Sequence, residues 1–500
     1  MRRFLGLALL ICGLLRPGAG LAADLSRGLA IADPLALREL DLREQRDDGS
    51  THPGFGLRQM LDPESSAPLH NERLFALPSM AALRASLDDE FARYQQDHWG
   101  RAPKLFDRDR LAAGTTRFVL AGIVNRMDRG FVAADGCGEI RLIYRPIDDA
   151  AGGRRLPMTL NIVLRARGAE PGIACREIAR RWLATGEWPD KGADLARRLV
   201  AADGPLAPLG PAAIDRIEVN LQIATMPAAT GGDFRADYLM QVFRFDAVSQ
   251  RYQAAPMENQ IDRDRLLADR DLGSQFKRWL LQPENVVAFD RGTLIVPETY
   301  LARRAIAATP AAFTDSELRP AFGLAGPGPQ APLFSDADIV AALQRAADSG
   351  GALQTVRSPA GFARRLNDIT CSGCHQTQAI GGFHFPGAEW GGDQATSTVA
   401  PGSPHFVGDQ LRRRDIVMAL RDGRQPDYSR GFTDRPQLRG ATALDGTAEM
   451  DGWGAACGLA DPHGTVDPSF RNWRCAAGLS CQPARGAAAF PIGMCFVGHR

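Results

Sequence analysis

Between Ile217 and Ile223, apolar and polar residues alternate without a break. Ile217, Val219, Leu221 and Ile223 are interleaved with Glu218, Asn220 and Gln222. A period of two puts the first set on one side of a β-strand and the second on the other. The pattern therefore demands a sheet with one apolar face. Arg117 to Val124, Gly138 to Tyr144, Met158 to Arg165 and Tyr238 to Phe245 are further strand candidates. Helical patterns fall around 173–185, 192–201 and 262–281. Mixed order with long connections predicts an α+β domain over 115–317, with a mixed or antiparallel sheet and helices on a face.

The segments around this domain have their own signals. Residues 24–114 are turn-rich, with irregular structure and short helices expected. Ser79 is placed to cap a helix running to about Trp99, whose Met80, Leu83, Leu87, Phe91 and Tyr94 share a face. His98 reads as a helix-end residue. Residues 318–334, rich in Pro and Gly, read as a linker. Ser335 with Asp338 forms a capping-box pattern, and Ser358 with Pro359 opens a second helix.

The first 23 residues have the make-up of a secretory signal peptide: Arg2 and Arg3, an apolar stretch from Phe4 to Leu15, then Leu21-Ala22-Ala23 before Asp24. Without it the chain is close to neutral, and only three lysines (Lys104, Lys191, Lys277) accompany its arginines. That balance argues against a general nucleic-acid binder. No later apolar run reaches the length of a transmembrane span. Neither G-x-G-x-x-G after a strand nor G-x-x-x-x-G-K-[ST] occurs, so nucleotide binding has no motif behind it.

The cysteines agree with export. Apart from Cys12 in the leader and the pair at 371 and 374, six remain: Cys137, Cys175, Cys457, Cys475, Cys481 and Cys495. An even set suits disulfide pairing in an oxidising compartment. A Cys137–Cys175 bridge is expected. The other four belong to a small disulfide-rich module at 447–500. Three connectivities are open there, with a four-cysteine zinc site as the rival.

Cys371-Ser372-Gly373-Cys374-His375 reads C-x-x-C-H, the attachment pattern of c-type haem. Two thiols at this spacing form thioethers to one porphyrin, and the adjacent imidazole is set to ligate iron. A zinc site needs further ligands, and no second C-x-x-C occurs. A redox disulfide of thioredoxin type needs a β-α-β setting that is missing here. Residues 358–440 resemble the haem segment of c-type cytochromes. The resemblance implies thioethers at Cys371 and Cys374, His375 as proximal ligand, one covalent haem c, and a mostly helical segment over 335–446. The usual distal Met loop is absent. His384 and His405 are the distal candidates, with Met418 behind them. Phe362, Leu366 and Ile369 share a helix face leading into Cys371, expected to hold the attachment loop against the haem. The whole chain also looks similar to large, poorly characterised exported bacterial proteins that join an α+β region to one C-x-x-C-H segment. Ala121 to Asp128, Thr370 to His375 and Phe383-His384 carry that likeness.

Other polar groups accompany the motif. Arg412, Arg413 and Arg414 suit haem propionates, or else an exposed helix face. Asn125-Arg126-Met127-Asp128, a polar cluster at a strand end, reads as a surface turn with an ion pair or else as part of a site. Glu218, Asp233 and Asp237 are acidic, but nothing in their spacing demands an acid/base pair. The expected protein is a periplasmic or secreted haem c protein acting in electron transfer with a redox partner protein. An exported peroxidase-like or oxidase-like haem enzyme, and a haem-free secreted binding protein, are the alternatives.

Overall fold

The structure, a computed structural model, describes residues 28–43, 54–98, 103–132, 136–169, 171–227, 234–309, 324–325, 332–373, 404–433, 435, 444–483 and 491–498. The leader, Asp233, Cys374, His375, His384 and the His405 side chain lie outside the described residues.

Ten strands form one sheet: β1 (Ala30–Ile31), β2 (Lys104–Leu105), β3 (Thr116–Arg126), β4 (Glu139–Asp148), β5 (Arg154–Arg155), β6 (Met158–Arg165), β7 (Ile214–Pro227), β8 (Phe234–Asp246), β9 (Arg251–Ala255) and β10 (Arg304–Thr309). Its order is β1-β3-β4-β6-β7-β8-β10, with β2 added to β7, β5 to β4 and β9 to β8. Every pairing is antiparallel. Of the two sheet types left open by the sequence, the chain adopts the antiparallel one.

The alternation at 217–223 decides which face is dry. Ile217, Val219, Leu221 and Ile223 are all buried in one large core, with Leu160, Ile162 and Leu164 of β6 and Leu239 and Phe243 of β8. Helices packing on or beside this face include α1 (Pro34–Leu42), α2 (Ala81–Asp97), α3 (Cys175–Ala184) and α4 (Gly192–Leu199). Leu37, Phe91 and Trp182 enter the core from them. The sequence places Ser79 as the cap of α2. Instead Pro78–Met80 forms a 3₁₀ turn, and the α-helix begins only at Ala81. His98 ends that helix as expected, with its ring stacked on Tyr94.

The helical stretch expected over 262–281 divides into α5 (Arg263–Ala268) and α6 (Arg270–Leu280). Asp269 causes the break. Its extended backbone stops α5, and its carboxylate accepts from the Asp271 and Leu272 N–H groups to cap α6.

A second core is built from α6, α7 (Pro283–Asp290), α8 (Asp336–Asp348) and α9 (Pro359–Asp368). The capping box at Ser335 and the cap at Ser358 are both formed. Leu324 and Phe334, from the Pro- and Gly-rich stretch, are buried in this core. The C-terminal strands β11 (Ala456–Gly458), β12 (Leu479–Gln482) and β13 (Ile492–Val497) form a small sheet whose Ile492 and Met494 pack into the same core.

Among the described residues three disulfides are formed. Cys137–Cys175 ties the start of β4 to α3, as the sequence led us to expect. In the C-terminal region the pairs are Cys457–Cys481 and Cys475–Cys495. Among the described residues no helix is long and apolar enough to cross a membrane.

Candidate functional site

Helix α9 delivers Cys371. Ser358 accepts from the Gly361 N–H at 2.9 Å and Pro359 occupies the first turn, so the helix starts sharply. Phe362 packs against Phe289 and Phe334, with ring centroids 4.8 and 5.4 Å apart, and Leu366 joins the same core. The apolar face of α9 anchors the helix in the second core, and Ile369 alone of the three reaches the cavity described below.

The chain after α9 is held by short polar contacts. The Thr370 hydroxyl donates to the Asn367 carbonyl at 2.7 Å and accepts from the Gly373 N–H at 3.1 Å. A Cβ at Gly373 would collide with the Asn367 carbonyl, so only glycine fits here. Gln260, from the connection after β9, clamps the next residue. Its Oε1 accepts from the Ser372 N–H at 3.1 Å, and its Nε2 donates to Ser372 Oγ at 3.2 Å. No motif marks Gln260 in the sequence. Its role depends on a contact across 112 positions of chain.

Cys371 is half-buried against Met240, Met257, Ala305 and Ala307. Burial pushes its thiol up to about 12, and the nearby Glu218 and Glu258 carboxylates add to the shift. Among the described cysteines it alone is outside a disulfide. It lines a cavity of about 410 Å³ between this segment and the face of the sheet opposite the large core.

The floor of that cavity is an ionic lattice. On β4, β6 and β7, Arg141, Val163 and Arg216 stand in one row, with Asn161 and Glu218 in the next. Val163 and Asn161 are short, so long side chains from β4 and β7 meet above β6. Arg141 donates to Glu139 at 2.6 Å and to Glu218 at 3.1 Å. Arg216 donates to Glu139 at 2.7 Å and to Glu218 at 2.9 Å. Arg129 pairs with Glu139 at 3.0 Å and with Glu258. Burial raises the Glu139 carboxyl, but Arg141, Arg216 and Arg129 outweigh it and hold the group well below the usual carboxylate range.

The lattice continues into α10 (Pro404–Arg421), the helix beyond the attachment motif. Asp128 is buried, accepting from Arg126 at 2.8 Å and from Arg412 at 2.8 Å. Arg412 and Arg413 also donate to Asp409, at 2.7 and 2.5 Å. Burial raises the Asp128 carboxyl, and the three surrounding arginines overcome this and lower it well below its ordinary value. Two expectations are corrected here. The 125–128 stretch is a buried junction, because α10 covers it. Arg412 and Arg413 are already engaged by carboxylates, and only Arg414 is exposed.

Glu218 and Asp237 do not form a pair. Glu218 faces the cavity, whereas Asp237 lies on the other side of the sheet and accepts from the Tyr94 hydroxyl at 2.6 Å. Met418 is half-buried near the end of α10 and is not among the cavity's lining residues. The sequence did hold one overlooked signal. Glu139 and Arg141, like Arg216 and Glu218, place opposite charges two positions apart on apolar strands, hence on one face.

Compared with family models, with curated proteins and with solved structures, the chain matches none.

Proposed function

We propose that this chain is an exported c-type haem protein that transfers electrons through one covalently attached haem. Cys371 and Cys374 would carry the thioethers, and His375 would be the proximal ligand. The observation that supports this best is the setting of Cys371. It is a thiol outside any disulfide, on the wall of a cavity whose volume lies in the range of cofactor pockets, roughly 300–1,000 Å³. The lining suits an amphipathic planar group, with Met240, Val242, Met257, Val296 and Leu301 apolar and arginines elsewhere. Three disulfides favour a periplasmic or secreted location.

A bound haem would supply the one-electron iron couple. This chain's own residues do the rest. Gln260 and Thr370 hold residues 370–373 by hydrogen bonds, which would present the Cys371 thiol in one place. The ionic lattice fixes the charge beneath the site, which keeps the electrostatic field around a redox centre constant. The high pKa of Cys371 keeps it a neutral thiol, slow to be alkylated or oxidised before attachment.

The test is a pyridine haemochrome spectrum on protein exported in cells that contain the haem-attachment machinery. The expected result is a c-type spectrum whose haem stays with the chain after denaturation and is lost in Cys371→Ala/Cys374→Ala. Exported, folded protein with no covalent haem overturns the proposal.

A further inference from the structure

We propose that Arg430 anchors a carboxylate group bound in the cavity beside Cys371. Every other arginine lining the cavity is committed to a carboxylate: Arg126 and Arg412 to Asp128, Arg129 to Glu258, Arg141 and Arg216 to Glu139 and Glu218, and Arg244 to Asp215. Arg430 also lines the cavity, and its buried Nε has no hydrogen-bond partner.

Two nearby carboxylates, Asp368 and Asp290, are engaged elsewhere. Asp368 pairs with Arg365 at 3.3 Å and accepts from the Thr433 N–H at 2.7 Å. Asp290 accepts from the N–H groups of Gln354, Thr355 and Val356. Glu298 lines the cavity but is exposed. The backbone of Arg430 is meanwhile fixed on both sides. Its N–H donates to the Arg291 carbonyl at 2.8 Å, and its own carbonyl accepts from Arg365 at 3.1 Å. A guanidinium on the cavity wall with no carboxylate paired to it among the described residues favours an anion that can accept two parallel hydrogen bonds. The same cavity holds two more unmatched polar atoms, the buried Oδ1 atoms of Asn161 and Asn220. An amide can present its NH₂ group there instead, which also suits a carboxylate.

The ligand class is therefore an amphipathic carboxylate, with its acid group on Arg430 and its apolar part against Met240 and Met257. A propionate of an attached haem and a free organic acid are two sources of that same chemistry. The haem source rests on the function proposed above, and the free-acid source does not.

The experiment uses the full exported chain carrying Cys371→Ala/Cys374→Ala, which cannot attach haem. The probes are protoporphyrin IX, its dimethyl ester and succinate, with binding followed by porphyrin absorbance and by thermal shift. Arg430→Gln is compared with Arg430→Lys, which keeps the charge, and with Arg414→Gln, which alters an exposed arginine. The expected result is that Arg430→Gln weakens protoporphyrin about tenfold, the size of one lost charge-assisted contact. Lysine should restore part of the loss, while the ester and Arg414→Gln should show no change. Succinate stabilisation that depends on Arg430, without any effect on protoporphyrin, supports the anchor with a free acid as its source. If neither acid responds to Arg430→Gln, while its thermal midpoint without ligand matches that of Arg414→Gln, the anchor is refuted. If Arg430→Gln does not fold, the decision falls to Arg430→Lys, where unchanged binding of both acids refutes the bidentate anchor. The haemochrome spectrum of the unmodified chain judges the haem reading separately.

Discussion

The two faces of the central sheet are made by the same strands and solve burial in opposite ways. On one face Ile217, Val219, Leu221 and Phe243 meet helices and shed water. On the other Arg141, Arg216, Glu139 and Glu218 are also withdrawn from water, but as a lattice of ion pairs. Apolar burial is favourable wherever shapes match. Buried ion pairs roughly break even against the cost of desolvating the charges. The first face is therefore where the fold gains its stability. The second face holds the cavity and Cys371, and its charged groups are better explained by a site than by stability.

Acid groups make the contrast sharper. Asp41, at the end of α1, is buried on the apolar side and accepts from the Leu120 N–H at 3.1 Å. Burial drives its carboxyl up to about 7, against the opposing pull of that hydrogen bond and of Arg117. Glu139 is also buried, yet three arginines take it the other way. Desolvation acts on both. The difference lies in how many cations stand within reach.

The largest effect expected is on the dry face. Phe243→Ala should cost about 3–5 kcal/mol, because it leaves a cavity among rigid neighbours. Denaturant unfolding measures this, and a loss below about 1 kcal/mol would mean that the dry face does not carry the stability assigned to it. Glu139→Gln comes next, at about 3 kcal/mol, since it strands Arg129, Arg141 and Arg216 with a neutral partner. Its signature should differ from that of Phe243→Ala. The spectrum of an attached haem should shift as well, whereas a pure core cavity should leave it alone. Asp41 gives the smallest effect, on the order of 2 kcal/mol, from a carboxyl that burial pushes up to about 7, discounted for relaxation. Its folded pKa lies above the unfolded value, so its contribution is complete below about pH 4 and is lost as pH rises through 7. Asp41→Asn keeps the acceptor for Leu120. It should flatten this decline between pH 4 and 7, so the mutant's relative stability should rise across that window. Parallel pH curves for the two proteins would show that Asp41 does not titrate as described.

Much of the scaffold was legible in the chain. Met158 to Arg165 is legible to the residue and four other strands (β3, β4, β7 and β8) within about four positions, because period two is a local signal, whereas the shorter β1, β2, β5, β9 and β10 carry no such signal. The Ser335 and Ser358 caps and the Cys137–Cys175 bridge were legible for the same reason, or from parity and compartment. The site was legible only in part. C-x-x-C-H pointed to Cys371, but the cavity beside it is assembled from β3, β4, β6, β7, β8, the connection after β9, and α10. Arg412 and Arg413 looked like an exposed helix face, since three consecutive arginines usually seek water. Asp128, more than 280 residues earlier, is what draws Arg412 inside.

The sequence by itself determined three things: that a sheet would have one dry face, that the cysteines outside the motif would pair, and that Cys371 would stand apart from them. Periodicity and cysteine chemistry act over a few residues or by simple parity, so they survive without coordinates. Only the tertiary structure decided what the other face does. Whether a charged side chain ends in water or in a buried lattice depends on the partners that distant strands bring to it. That arrangement also left Arg430 as the one arginine of the cavity lining with no carboxylate paired to it among the described residues.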